Sequence, residues 1–401
     1  MNAPIDRPDA ARPFALIPNA AARRDAPWTP AQDAILSDVA FECARAAIAS
    51  WPGYAPTPLH RLDGLAAEIG VAAIWWKDEG PRFGLGSFKA LGGAYAVAQV
   101  IAREAQAAGL TPAEIAPRLT VCCATDGNHG RSVAWGAQRF GCRCVIFIHA
   151  TVSEGRKRAI EAYGAEVRRT AGNYDDSVRE AEATAQAEGW TVVSDTSYPG
   201  YMEIPKDVMQ GYELMAAEAF DALPQPPTHI FLQTGVGGMA AAVAAQAKRR
   251  WGAGRPAILL ADPDRSACWA DSFRAGRPTP VEGDLDTLMA GLACGEVSAL
   301  AWEVLRDHAD AAIAIPDAAA VEMMRRLACP PPPDRPVVAG ESATAGLAAL
   351  AATMADPQAR AALGLGPEAR VLLFGTEADT DPALYEQLVG ATGDQIRERA
   401  A

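Results

Sequence analysis

Histidine is scarce, five in 401 residues, and no His-Glu-x-x-His pair occurs among them. A catalytic metal therefore has few nitrogen ligands available, and none is expected. Basic residues are also in deficit, 36 Lys and Arg against 49 Asp and Glu, for a net charge of −13. That balance argues against a nucleic-acid partner or an anionic membrane surface, which both need clustered positive charge. The most apolar stretches are broken by Gly, Pro or charge before they reach membrane-spanning length. Met1 to Pro27 mixes Asp, Arg, Pro and Ala without the apolar core of a secretory signal, so a cytoplasmic location is expected. The eight cysteines form no Cys-x-x-Cys pair and no zinc spacing. Cys122, Cys123, Cys142 and Cys144 lie in strand-like runs and read as small buried hydrophobes.

What is present is apolar residue, half of the chain, in a periodic arrangement. Short β-branched runs alternate with Ala-rich stretches: Leu119 to Ala124, Cys144 to Ile148, Glu166 to Thr170, Thr191 to Ser194, His229 to Gln233, Ile258 to Ala261 and Arg370 to Phe374 are strand-like. Strands alternating with helices predict an α/β fold with mostly parallel sheets. A chain of this length suits two domains with separate cores. We expect a smaller domain over 90–213, a large cofactor-binding domain from 28–89 and 214–401, and a flexible N-terminal extension over 1–27.

Three segments carry chemistry. Arg82 to Gly93 holds Lys89 among Gly84, Gly86, Gly92 and Gly93, where backbone and a ring could approach closely. An amine is useful for imine chemistry when desolvation or nearby positive charge lowers its pKa, although a lone lysine is as readily a solvated surface group. Thr125-Asp126-Gly127-Asn128-His129-Gly130 sits between a strand and a helix, where Asp and Asn also serve as ordinary caps. Gly235-Val236-Gly237-Gly238 follows a strand and opens a helix, a place where free N–H groups and the helix dipole attract a phosphate. Such a run can equally be a Rossmann turn or a tight packing site, but Ala240 stands where the third fingerprint glycine would be.

Lysine loop, asparagine loop and glycine loop in this order resemble the tryptophan-synthase-type (fold type II) enzymes that use pyridoxal phosphate (PLP), over residues 55 to 385. Within them the chain is similar to the diaminopropionate ammonia-lyase family. The matching segments are Arg82-Phe-Gly-Leu85, Lys89-Ala-Leu-Gly-Gly93, the Asp126 of the asparagine loop, Asp195-Thr196 with Gly200-Tyr201, Met289 to Gly295, Gly340 to Thr344, and Thr376-Glu377 with Asp379 to Pro382. Two places depart from the family pattern. Gly86-Ser87 precedes Phe88-Lys89 where Asn-Ala is expected, and Tyr198-Pro199 replaces the usual aromatic and acidic residues.

The resemblance implies α,β-elimination of 2,3-diaminopropionate to pyruvate and two ammonia, possible with both enantiomers, in a homodimer. Lys89 would form the Schiff base and take the Cα proton of the L form. Asp126 would take it from the D form on the opposite face, and Asp195 would bind the substrate amine or assist. Phe88 and Asn128 would contact the cofactor, Asn128 at its 3′-oxygen. Gly235, Val236, Gly237, Gly238 and Met239 would hold the phosphate, and Thr376 would face the ring nitrogen. Glu341 reads either as a first-turn helix charge or as a group behind the cofactor. Cys268 and Cys294 read either as a pair near the site entrance or as separate thiols. The alternative substrate class is another β-substituted amino acid, such as serine, threonine or 3-hydroxyaspartate. Gly86-Ser87 favours that class. Asp126 argues against it, because a hydroxyamino acid offers no ammonium to repay a desolvated carboxylate.

Overall fold

A computed structural model describes residues 13–125, 127–172 and 174–400. The alternating pattern resolves into two sheets. Seven strands form the larger one: β1 (Ala15–Pro18), β2 (Leu59–Arg61), β3 (Ala73–Asp78), β8 (His229–Gln233), β9 (Ala257–Pro263), β10 (Ala311–Ile315) and β11 (Arg370–Gly375). Their spatial order is β1-β10-β9-β8-β11-β3-β2, and only the two edge strands run antiparallel to their neighbours. The smaller sheet is parallel throughout, in the order β6-β5-β4-β7, from β4 (Thr120–Ala124), β5 (Arg143–Ile148), β6 (Glu166–Arg169) and β7 (Thr191–Val192). Central strands such as β8 and β9 are buried along their whole length, as strands covered by helices on both faces must be. The fold is therefore α/β, of the expected class.

Three features of the frame bear on the sequence reading. Residues 15–18, expected inside a flexible extension, form an edge strand whose Ala15 to Pro18 pair with Ala314 to Ala311. The boundary expected at about 213 lies within the helix Glu203–Ala222. Gly92 and Gly93 do not serve a ring. A Cβ on Gly93 would lie 1.8 Å from Ser132 Oγ, and one on Gly92 would lie 2.4 Å from the Tyr212 ring. Both glycines let the helix Ala90–Ala108 press against the helices Asn128–Phe140 and Glu203–Ala222.

The chain then brings its loops to one place. Beyond β3, the segment before Lys89 pairs with the segment after β11: Phe88 N–H donates to Thr376 O at 3.0 Å, and Ala378 N–H to Gly86 O at 2.9 Å. Gly86, with φ at +77°, makes that pairing without strain. The loops after β4, β7, β8 and β11 leave the carboxyl ends of parallel strands, where open α/β sheets form their crevices.

Candidate active site

These loops line a cavity of about 580 Å³, a size that suits a cofactor and a small substrate together. Lys89 is the last residue before the helix Ala90–Ala108 and points its amine into the cavity. Its Nζ donates to Asp195 Oδ2 at 2.5 Å, and both side chains are about one-fifth exposed, 19% and 21%. Burial alone would lower the amine's pKa, but the Asp195 charge outweighs it and holds the lysine well above its ordinary range. The nearest charge is thus negative, the opposite of the positive neighbour that would lower the amine's pKa. Asp195 is correspondingly held far below the carboxylate range: burial opposes this, and the Lys89 and then His129 charges prevail.

His129 is a site residue the sequence reading left without a role. Its Nε2 lies 2.8 Å from the Val193 carbonyl, which can only accept, so Nε2 carries the hydrogen. The other ring nitrogen, Nδ1, is buried, has no hydrogen-bond partner among the described residues and lies 3.7 Å from Asp195 Oδ2. Burial lowers the pKa of this imidazole. Phe88 packs against Tyr212 with ring centroids 4.6 Å apart, and Lys89 Nζ sits 5.4 Å from the Phe88 centroid.

The glycine loop is shaped from behind by Trp269. Gly237 has φ at +97°, and a Cβ there would lie 2.2 Å from the Trp269 ring. Trp269 Nε1 also donates to Gly235 O at 3.0 Å. Asp262 fixes that tryptophan by accepting from Trp269 N and Ala270 N, each at 3.1 Å. The helix Gly238–Trp251 begins here, and the N–H groups of its first turn have no intrahelical acceptor. Gly235, Val236, Gly237, Gly238 and Met239 all face the cavity. An amine at one wall and an anion cradle at another fit a phosphorylated aldehyde such as pyridoxal phosphate.

Asn128 and Thr376 also line the cavity. Asn128 Nδ2 donates to Glu377 Oε2 at 2.5 Å, which uses one amide hydrogen and leaves the other for a ligand. Glu377 also accepts from Ser342 N–H at 3.2 Å. Thr376 Oγ1 accepts from Gln233 Nε2 at 2.6 Å. Asp126 lies outside the described residues. Cys268 and Cys294 form no disulfide with each other, one being buried and the other half-buried. They flank Gly235: Cys268 Sγ is 3.7 Å from its carbonyl, and a Cβ on that glycine would lie 3.0 Å from Cys294 Sγ.

Glu341 lies behind the cavity wall and meets Arg156 at 3.2 Å, while the same arginine approaches Asp381 at 3.5 Å. Burial first, then the Glu377 charge, pushes the Glu341 carboxyl up to about 8. The folded protein therefore keeps this proton up to about pH 8, whereas an ordinary glutamic acid loses it near 4.5. Between those values the native state binds more protons than the unfolded one, so this group makes stability fall as pH rises. Glu341→Gln is expected to flatten that fall, gaining on the parent protein steadily from pH 5 to pH 8. Urea midpoints at successive pH values measure it, and parallel curves for the two proteins would refute it.

Comparison with known proteins points the same way. The family described as pyridoxal-phosphate dependent enzyme matches residues 50–377. The chain is 40% identical over 358 residues to the diaminopropionate ammonia-lyase of Salmonella typhimurium, covering 84% of this chain and 89% of that relative. The crystal structure of holo diaminopropionate ammonia lyase from Escherichia coli superposes with a TM-score of 0.86 at 37% identity, covering 94% of this chain and 97% of that one. A crystal structure of the same Escherichia coli enzyme, with an aminoacrylate-PLP azomethine reaction intermediate, gives 0.85 at 38% identity, covering 94% and 97%.

Proposed function

This chain belongs to the diaminopropionate ammonia-lyase family of pyridoxal-phosphate-dependent enzymes, and from that premise we propose how its cavity works. The reaction is the elimination of ammonia from 2,3-diaminopropionate, followed by hydrolysis, so that one substrate and one water yield pyruvate and two ammonia. Pyridoxal phosphate, when bound, supplies the electron sink that accepts charge from Cα after its proton is lost. The protein supplies everything else. Lys89 would hold the cofactor through its amine and would take the Cα proton of the substrate. What supports this is its Nζ at the cavity wall, within 2.5 Å of Asp195.

Expulsion of the β-nitrogen requires that it leave as ammonia, since an amide anion is a very poor leaving group. Asp195 is the carboxylate in reach of Lys89, and it can orient a cationic β-amine or return a proton to it, a contribution of about 10²–10⁴-fold. Gly235 to Met239 hold the phosphate through backbone N–H groups, with Trp269 keeping the loop in shape. Asn128, steadied by Glu377, offers its remaining amide hydrogen to the 3′-oxygen. Thr376 presents its hydroxyl to the ring nitrogen. Asp126 would be the base toward the D enantiomer, as the family resemblance implies.

We read the active protein as a cytoplasmic homodimer, following the family resemblance. No helix among the described residues is long and apolar enough to cross a membrane. Sedimentation at twice 42.0 kDa would support the dimer, and a 42.0 kDa species at working concentration would overturn it. The division into a small unit, 90–213, and a large unit, 28–89 with 214–401, is supported by the four-stranded sheet lying within the first. The helix Glu203–Ala222 runs across that boundary.

Product stoichiometry on the PLP-loaded protein tests the function. L- and D-diaminopropionate, L-serine, L-threonine and 3-hydroxyaspartate are each supplied, with ammonia and 2-oxo acid quantified. Two ammonia per pyruvate from diaminopropionate is expected. One ammonia per oxo acid from a hydroxyamino acid, with diaminopropionate inert, would overturn the substrate. An inert D form would withdraw the two-face role of Asp126 alone.

A further inference from the structure

Gln233 closes β8 one residue before the loop that leads to the glycines, and it is buried at 3% exposure. Its side chain reaches β11 instead of the glycine loop. The amide Nε2 donates to the Phe374 carbonyl at 2.7 Å and to Thr376 Oγ1 at 2.6 Å, with the Ala343 carbonyl at 3.4 Å. Carbonyl oxygens only accept, so the amide cannot be turned over without setting oxygen against oxygen. Oε1 is buried with no hydrogen-bond partner among the described residues, a cost of about the size expected for a polar group left unpaired. The side chain therefore gives up one of its own hydrogen bonds to hold Nε2 where it is.

Thr376 feels the consequence. An amide N–H can only donate, so the hydroxyl oxygen is the acceptor in that contact and its own hydrogen points elsewhere. The residue is 4% exposed and faces the cavity, and no described residue accepts from its hydroxyl. A ring nitrogen with a free lone pair would satisfy this hydrogen. A protonated ring nitrogen would bring a second hydrogen to the same place and leave the hydroxyl's own unsatisfied.

We infer that Gln233 is a positioning residue, whose pinned amide turns the Thr376 hydroxyl hydrogen into the cavity and so selects the unprotonated ring nitrogen of the cofactor. The inference rests on the proposed cofactor reading and on Thr376 as the ring-nitrogen partner. Its effect is on the electron sink: an uncharged ring draws less charge from Cα, which favours prompt loss of a β-leaving group over a long-lived carbanion.

The test loads the enzyme with PLP labelled by nitrogen-15 in the ring and reads that nitrogen by NMR in parent, Thr376→Val, Thr376→Ser, Gln233→Glu and Gln233→Met proteins. The parent signal is expected at the position of an unprotonated, hydrogen-bonded pyridine. Gln233→Glu offers an acceptor to the hydroxyl and should turn its hydrogen away. The signal should then move toward a pyridine with no hydrogen bond, as in Thr376→Val, with PLP affinity reduced about tenfold. Gln233→Met, which frees the hydroxyl without reversing it, should move the signal less and stands in if the glutamate variant does not fold. Thr376→Ser should keep the parent signal.

A shift in Thr376→Val with none in either Gln233 variant would overturn the positioning role while keeping Thr376 as partner. No shift in Thr376→Val, or a protonated ring nitrogen in the parent, would overturn the inference and the Thr376 assignment together. Failure of the parent to retain the label would overturn both along with the cofactor reading. A residue that merely packed β8 against β11 would change thermal stability and leave the nitrogen signal in place.

Discussion

Replacing Lys89 by alanine is expected to abolish the visible absorbance of the PLP-loaded protein and to lower turnover by more than about 10⁴-fold. The magnitude follows from two losses at one atom. General acid–base catalysis alone is worth about 10²–10⁴, and the covalent hold on the cofactor is lost with it. The amine sits 2.5 Å from Asp195 on the cavity wall, so a surface lysine cannot take its place. Removing it also leaves the Asp195 carboxylate without its lysine partner. That unpaired charge is partly exposed at 21%, which keeps the accompanying loss of stability small. An absorbance scan and a pyruvate assay measure the two effects. Borohydride reduction of the parent should leave a pyridoxyl group on the Lys89 peptide, and an unchanged spectrum in the variant would refute the assignment.

The largest expected effect on stability lies behind the lysine loop, at Arg82. Four charged side chains meet there with almost no water: Lys77, Glu79 and Arg82 are at most 1% exposed, and the Glu218 side chain is 5% exposed. Arg82 spans both carboxylates, Glu79 at 2.8 and 2.9 Å and Glu218 at 2.7 and 3.0 Å. Lys77 Nζ reaches Glu218 at 2.7 Å and the Thr57 carbonyl at 2.8 Å. Two cations thus balance two anions. Burial alone would lower the Arg82 pKa, but Glu79 and Glu218 outweigh it and hold the guanidinium firmly charged.

Arg82→Met keeps the volume but leaves two interior carboxylates to one ammonium, and a buried pair broken on one side costs about 3–5 kcal/mol. Arg82→Lys retains the charge and loses the planar fork that serves both partners, so it should fall between the two. Urea unfolding measures both, and a loss under about 1 kcal/mol for the methionine variant would overturn this account. Because Arg82 opens the turn that carries the chain from β3 to Lys89, PLP retention should fall in the same order.

Much of this was readable in the chain. Strand β8 coincides with the expected His229 to Gln233, and the Ala-rich stretches beside it are helices. Other strands were not legible. β10 is Ala-Ala-Ile-Ala-Ile, a composition equally suited to a helix, and it is a strand because β9 and β1 pair on its two sides. β1 lies in a segment whose Pro, Asp and Arg content reads as a tail, yet pairing with β10 orders it. The glycines beside Lys89 were visible as close-approach positions, but the partner approaching Gly92 and Gly93 is a helix rather than a ring.

The sequence by itself determined the chemical parts and their order: an amine at Lys89, an amide at Asn128, and glycines from Gly235 that open a helix. Each is a local property, since neighbouring residues settle backbone freedom, capping and periodicity among themselves. Tertiary structure decided how those parts are tuned, because the tuning groups come from distant segments. Glu377 meets Asn128 across 249 positions, Gln233 meets Thr376 across 143, and Trp269 shapes a loop 34 residues before it. Even the sign of the shift at Lys89 was settled this way. Desolvation is foreseeable for a buried amine, whereas an opposing carboxylate 106 positions away becomes a neighbour only when β7 and the lysine loop meet in the folded chain.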